Sequence, residues 1–163
     1  MKSSYDLFAS IWEQHHIPLY KYLYSRMSNQ YDAEDVLQTT ALKAARNFHK
    51  LKNIKDARQW LFSIATNAMN DHFRRNSAKV SIEQLPEVVS AENVSGFSDL
   101  KFTLNMYLEK LPAEKQNLFY LYMQKALNLK EIAGVLDIGY STARKWLQEI
   151  KDDLTEELYD KAQ

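Results

Sequence analysis

The 163-residue chain has no cysteine, and only three glycines and three prolines. Without thiols there is no disulfide framework and no thiolate metal site, which suits a reducing compartment. So few Gly and Pro leave almost none of the turn dipeptides that punctuate hairpins, and no alternating strand pattern runs between them, so β architecture is not expected. No apolar run approaches the roughly 18 residues that a bilayer span needs, and Met1–Ser10 mixes Lys2, Asp6 and hydroxyls instead of an apolar signal core. The expectation is a soluble, cytoplasmic protein without membrane insertion. The four histidines, His15, His16, His49 and His72, are scattered and form no His-x-x-x-His spacing, and there is no Gly-rich phosphate loop. No catalytic residue, metal or cofactor is therefore expected.

What the chain does have is 45% hydrophobic residues, enough for a core, in a length that fits two small domains as readily as one. Its net charge of zero conceals an asymmetry. Residues 1–80 hold 12 Lys/Arg against 7 Asp/Glu, residues 81–100 hold none against 4, and residues 101–163 hold 9 against 10. Between Lys43 and Lys79, nine basic residues face only Asp56 and Asp71. Such a field suits a surface that meets phosphates, although a bare charge run is more often a solvated face.

Helical spacing dominates the rest. Leu7, Phe8, Ile11, Trp12 and His15, then Leu19, Tyr20, Leu23, Tyr24 and Met27, recur on one face, with Pro18 placed to kink or restart the helix. Ala33 to Phe48 sets Val36, Leu37, Thr40, Ala41, Ala44 and Phe48 on a stripe, with Asp32 a fitting N-cap. Ala57 to Arg75 does the same with Trp60, Leu61, Ile64, Ala65, Ala68 and Met69. Residues 78–100 lose the period and gain acid, so they read as a linker between a first domain, 1–77, and a second, 101–163. The fold class is thus all-α: two small helical domains joined by a flexible linker. In the second domain Ile132, Val135 and Leu136 with small Ala133, then Ile138, then Ala143, Leu147 and Ile150, fit a helix-turn-helix, or else an ordinary helical hairpin. Asp137 stands where such turns often have Gly, and Asp is among the few residues that tolerate the left-handed conformation.

Four segments in order, "DAEDVLQTTALKA", "WLFSIATNAMNDHFRR", "LP" and "LKEIAGVLDIGYSTARKWLQEIKDDL", resemble the successive signatures of an extracytoplasmic-function (ECF) sigma factor of bacterial RNA polymerase, across roughly residues 5–155. The resemblance implies a protein that binds core polymerase, directs it to promoters and assists strand opening, with no covalent chemistry of its own. It implies contact with the polymerase beta-prime clamp through Asp32, Glu34, Asp35 and Gln38, where acidic groups also favour their own helix N-terminus; Asp32 fits a cap as well as an interface. It implies minus-ten DNA recognition by Leu51, Ile64, Asn67, Asn70, Arg74 and Arg75, with Asn amides suited to a base edge and arginines to the backbone. Trp60, by its inward phase, fits core better than a stacking platform. It implies minus-thirty-five recognition by Tyr140, Ser141, Thr142, Arg144, Lys145 and Gln148, with the beta flap and an anti-sigma factor as further partners. Residues 101–163 are less basic than usual for such a domain, which argues for weak duplex binding outside a polymerase complex. Two other readings stay open: a freestanding helix-turn-helix DNA-binding regulator, which leaves the acidic helix unemployed, and a helical protein-interaction adaptor.

Overall fold

The computed structural model describes residues 3–77 and 97–162. These are helical nearly throughout, with no strand among them, as the residue pattern implies. The linker expected over 78–100 lies outside the described residues as far as 96, and its last four positions begin a helix.

Helix α1 spans Ser4–Met27 and opens on a capping box: the Asp6 amide donates to Ser3 Oγ at 3.2 Å while Asp6 reaches back to the Ser3 amide. It runs through Pro18 without restarting, at the cost of one intrahelical hydrogen bond. Its inner face of Ile11, His15, Leu19, Tyr22 and Leu23 is anchored where the Tyr22 hydroxyl meets Thr66 Oγ1 at 2.9 Å. Burial of that phenol raises its pKa well above the usual range.

Helix α2 covers Gln30–Arg46, starting three residues before the expected Ala33. The expectation that Asp32 caps it is corrected: Asn29, in extended conformation, accepts from the Tyr31 and Asp32 amides. A short polar side chain just upstream takes the capping role and leaves Asp32 inside the first turn, where its charge still favours the helix dipole. Two short 3-10 turns, Phe48–Lys50 and Ile54–Asp56, lead into helix α3, Ala57–Ser77. The first core forms where α1 to α3 bury Leu19, Tyr22, Leu23, Leu61, Phe62 and Met69 completely.

The second half comprises α4 (Phe97–Lys110), α5 (Ala113–Met123), α6 (Leu129–Leu136) and α7 (Tyr140–Ala162). Leu118, Leu121, Ile132, Ala143 and Ile150 form its core, with Tyr107 and Leu108 of α4 against α7. The two halves touch, α6 lying on α3 and α5 on α1. No helix among the described residues is long and apolar enough to cross a membrane.

Candidate functional site

Three surfaces gather the polar residues singled out in the sequence. The first is the outer face of α2. Its apolar stripe of Ala33, Val36, Thr40 and Ala44 is buried, which turns Glu34, Asp35 and Gln38 into solvent. Neither carboxylate has an ion-pair partner among the described residues; Glu34 accepts only from Gln30 Nε2, at 3.0 Å. Asp32 is set apart, half-buried and 3.5 Å from His72 Nε2 of α3. Two residues that the sequence reading missed complete the face: Tyr31, 81% exposed, and Leu42, 59% exposed. The 31, 35, 38, 42 spacing was the available signal, since it places all four on one stripe of a helix. An exposed aromatic and an exposed leucine bracketing free acids make a face suited to a basic helical partner.

The second surface is α3. Leu51, on the loop before it, and Ile64 are half-buried and pack against the core. Trp60 does likewise, its ring 6.5 Å from that of Phe48, as its phase implies. Asn67 is exposed, whereas Asn70 is half-buried and its Oδ1 accepts from Asn117 Nδ2 of α5 at 3.2 Å. The two amides therefore face different surroundings. Arg74 and Arg75 come together with Thr39, Lys43 and Asp71 around an open cleft of about 550 Å³. Arg74 donates to Asp71 Oδ1 at 2.7 Å and Lys43 lies 3.9 Å from the same carboxylate. Lys43, Arg74 and Arg75 line the cleft against one acid, Asp71, so it retains positive charge for a phosphate backbone.

The third surface is the helix-turn-helix. An Asn128–Glu131 capping box starts α6. Asp137 ends it in the left-handed region, with φ 55° and ψ 46°, which its side chain tolerates as expected. The Ile138 amide then donates to the Ala133 carbonyl at 3.0 Å, closing the turn over a buried alanine. Ala143, Leu147 and Ile150 seat α7 inward. That phase exposes Tyr140, Ser141, Arg144, Lys145 and Gln148, with Thr142 half-buried. The Arg144 guanidinium lies over the Tyr140 ring at 5.9 Å, and Gln148 donates to Asp152 Oδ1 at 2.9 Å. All six share the outer side of one helix beyond a tight turn, the geometry with which such motifs enter a major groove.

Similarity to known proteins identifies the family. Residues 11–79 match the family described as Sigma-70 region 2. The chain is 30% identical to the ferric citrate uptake sigma factor FecI of Escherichia coli, over 86% of this chain and 84% of that protein. It is 27% identical to the ECF RNA polymerase sigma factor SigM of Bacillus subtilis, over 79% and 81%, and 24% identical to SigW of the same organism, over 98% and 92%. The chain belongs to the ECF sigma factors of bacterial RNA polymerase. Its function is to direct core polymerase to promoters, and its partners are therefore the core enzyme and promoter DNA. Sigma factors are not enzymes.

Proposed function

We propose that residues 1–77 bind the polymerase clamp and open the minus-ten element, and that residues 101–163 read the minus-thirty-five element. The observation that carries this reading is the outer face of α2, where Glu34, Asp35 and Gln38 stand exposed between Tyr31 and Leu42 and neither acid has an ion-pair partner among the described residues. A freestanding regulator has no use for such a face. In this reading the beta-prime clamp supplies basic and apolar groups to it, and the desolvated centre contributes affinity while the acids steer encounter. Asn67 is accessible to read an extruded base, Leu51 and Ile64 wall its pocket, and Arg74, Arg75 and Lys43 hold the backbone. Tyr140, Ser141, Thr142, Arg144, Lys145 and Gln148 meet the upstream duplex while the beta flap holds the second half in place. Work takes place in the cytoplasm, where the core enzyme is, with an anti-sigma factor as the regulatory partner.

The test is in vitro transcription with core polymerase and a randomised promoter library. Enrichment of a two-part promoter by the wild-type chain, and loss of core binding when Glu34 and Asp35 are reversed to Lys, are the expected results. Sequence-specific DNA binding without any gain from core polymerase would favour the freestanding regulator and overturn the reading.

A further inference from the structure

The contact between the halves is built from specific groups. Asn117 of α5 is 1% exposed, yet both ends of its amide are used on the other half. Its Oδ1 accepts from Arg26 Nε at 2.8 Å and its Nδ2 donates to Asn70 Oδ1 at 3.2 Å. The Arg26 guanidinium also lies 4.8 Å from the centre of the Phe73 ring. Beyond this clasp, an Arg58 nitrogen donates to the Ala126 carbonyl at 3.0 Å and Gln124 Nε2 to Ser25 Oγ at 3.3 Å. Gly134 of α6 approaches so closely that a Cβ there would collide with the Gln59 side-chain amide. Buried polar groups that are satisfied only across a contact specify that contact, because parting leaves them to be resolvated together.

We infer that the free chain is self-closed: α5 and α6 sit as an intramolecular lid on α1 and α3, and Asn117 occupies the amide oxygen of Asn70. The inhibitory part of this inference rests on the reading of Asn70 as a promoter contact. Closure has two consequences. One polar group of the minus-ten surface is engaged by the protein itself, and the two DNA-reading halves are held in one fixed relation until polymerase separates them. Polymerase and promoter then act by selecting the open form, and their apparent affinity falls by the fraction of chain that is open.

The absence of cysteine allows a direct test on the full chain. Gln59→Cys with Gly134→Cys places the only two thiols across the contact. A short, reducible bis-maleimide should bridge them rapidly in the free native chain and not in guanidinium-unfolded chain. The bridged protein should lose about tenfold or more in transcription from a promoter selected with wild type, and cleaving the bridge should restore it. A wedge, Gly134→Trp, should instead improve half-saturation of core polymerase by about tenfold if one chain in ten is open beforehand. Failure to bridge in the native chain overturns closure. A bridged chain as active as the cleaved one, or a wedge variant that gains nothing in core binding, overturns inhibition. A wild-type chain inert with core on every promoter overturns the promoter reading, and the inhibitory consequence with it, while bridging yield still decides closure.

Discussion

Replacing Asn117 with Leu should show what the clasp contributes. Leucine keeps the branched shape and leaves no cavity, though its greater bulk adds some overpacking to the polar cost. Arg26 Nε loses its acceptor at 2.8 Å while remaining half-buried over Phe73. Burial already lowers the pKa of that guanidinium, a sign that its charge is partly desolvated. A hydrogen bond to a charged group is worth about 1.5–3 kcal/mol and a neutral one about 0.5–1.5 kcal/mol. Asn70 can turn partly to water, so its bond belongs at the lower end. The expected destabilisation is therefore about 2–4 kcal/mol, read by urea unfolding of the full chain followed by circular dichroism. Adding Arg26→Met removes the stranded donor, and the pair should cost at least about 1 kcal/mol less than the sum of the single changes. Core polymerase should meanwhile bind Asn117→Leu more tightly, although the protein is less stable, a combination that general damage does not produce. A loss below about 0.5 kcal/mol, or strict additivity in the cycle, would refute the clasp.

Reversing Glu34 and Asp35 to Lys should weaken core binding by at least tenfold with the helical spectrum unchanged, and Leu42→Asp should do the same through the apolar part of the face; fluorescence anisotropy with labelled chain reads both. Asn67→Ala should relax preference at one minus-ten base by about 1–3 kcal/mol, whereas Arg74→Ala should weaken every template alike; equal losses on all templates from both would count against a base pocket. Arg144→Ala should sharply reduce holoenzyme transcription, measured on templates with and without an intact upstream element, and an indifferent variant would mean that another face of α7 meets DNA. His15 is buried beside Arg58, and burial first, then that charge, lowers its pKa from 6.5. The unfolded chain therefore takes up the proton before the folded one, so stability is full above about pH 6.5 and is lost as pH falls toward the lowered value. Lys21, Lys55, Arg58, Lys125 and Glu131 line the clefts that His15 lines, and His15→Gln should flatten that slope in unfolding experiments between pH 7 and 5.

Much of the fold was legible because its buried residues are apolar and periodic. The three helices of the first half and the helix-turn-helix each carry a stripe at helical spacing, and Asp137 announced its turn by chemistry alone. Local competition was harder to read. Asn29 and Asp32 are both good caps, and only backbone conformation decides between them. Tyr31 and Leu42 fall outside the periodic apolar stripe of α2, because they stand on its opposite, exposed face. The contact between halves left no periodic trace. Asn117 stands in "AEKQNLF" among residues that read as a solvated helix start, and Asn70 reads as part of a polar groove whether its partner is a base or another asparagine. Pairing between polar residues 47 apart is set by tertiary geometry, which composition and spacing do not encode.

The chemistry of closure differs from the chemistry of binding, and that difference gives ionic strength a direction. Every ion pair among the described residues lies within one half: Lys43, Arg74 and His72 pair inside the first, and Lys115 with Glu149 inside the second. Hydrogen bonds and close packing hold the halves together. Lys21, Arg58 and Lys125 even share the wall of a cleft of about 500 Å³ at the joint, where like charges oppose closure. Salt screens that repulsion and leaves short-range bonds nearly untouched, so added salt holds the lid shut more firmly. The same salt weakens what competes with the lid. On the proposed assignment of the surfaces, phosphate contacts by Arg74, Arg75 and Lys43 would lose affinity steeply as counterions accumulate, and attraction between the acids of α2 and a basic clamp would be screened as well. Both effects move the chain toward its closed, unbound form. A sigma factor arranged in this way is most available at low ionic strength, and the sensitivity comes from the surfaces that bind, not from the clasp that restrains them.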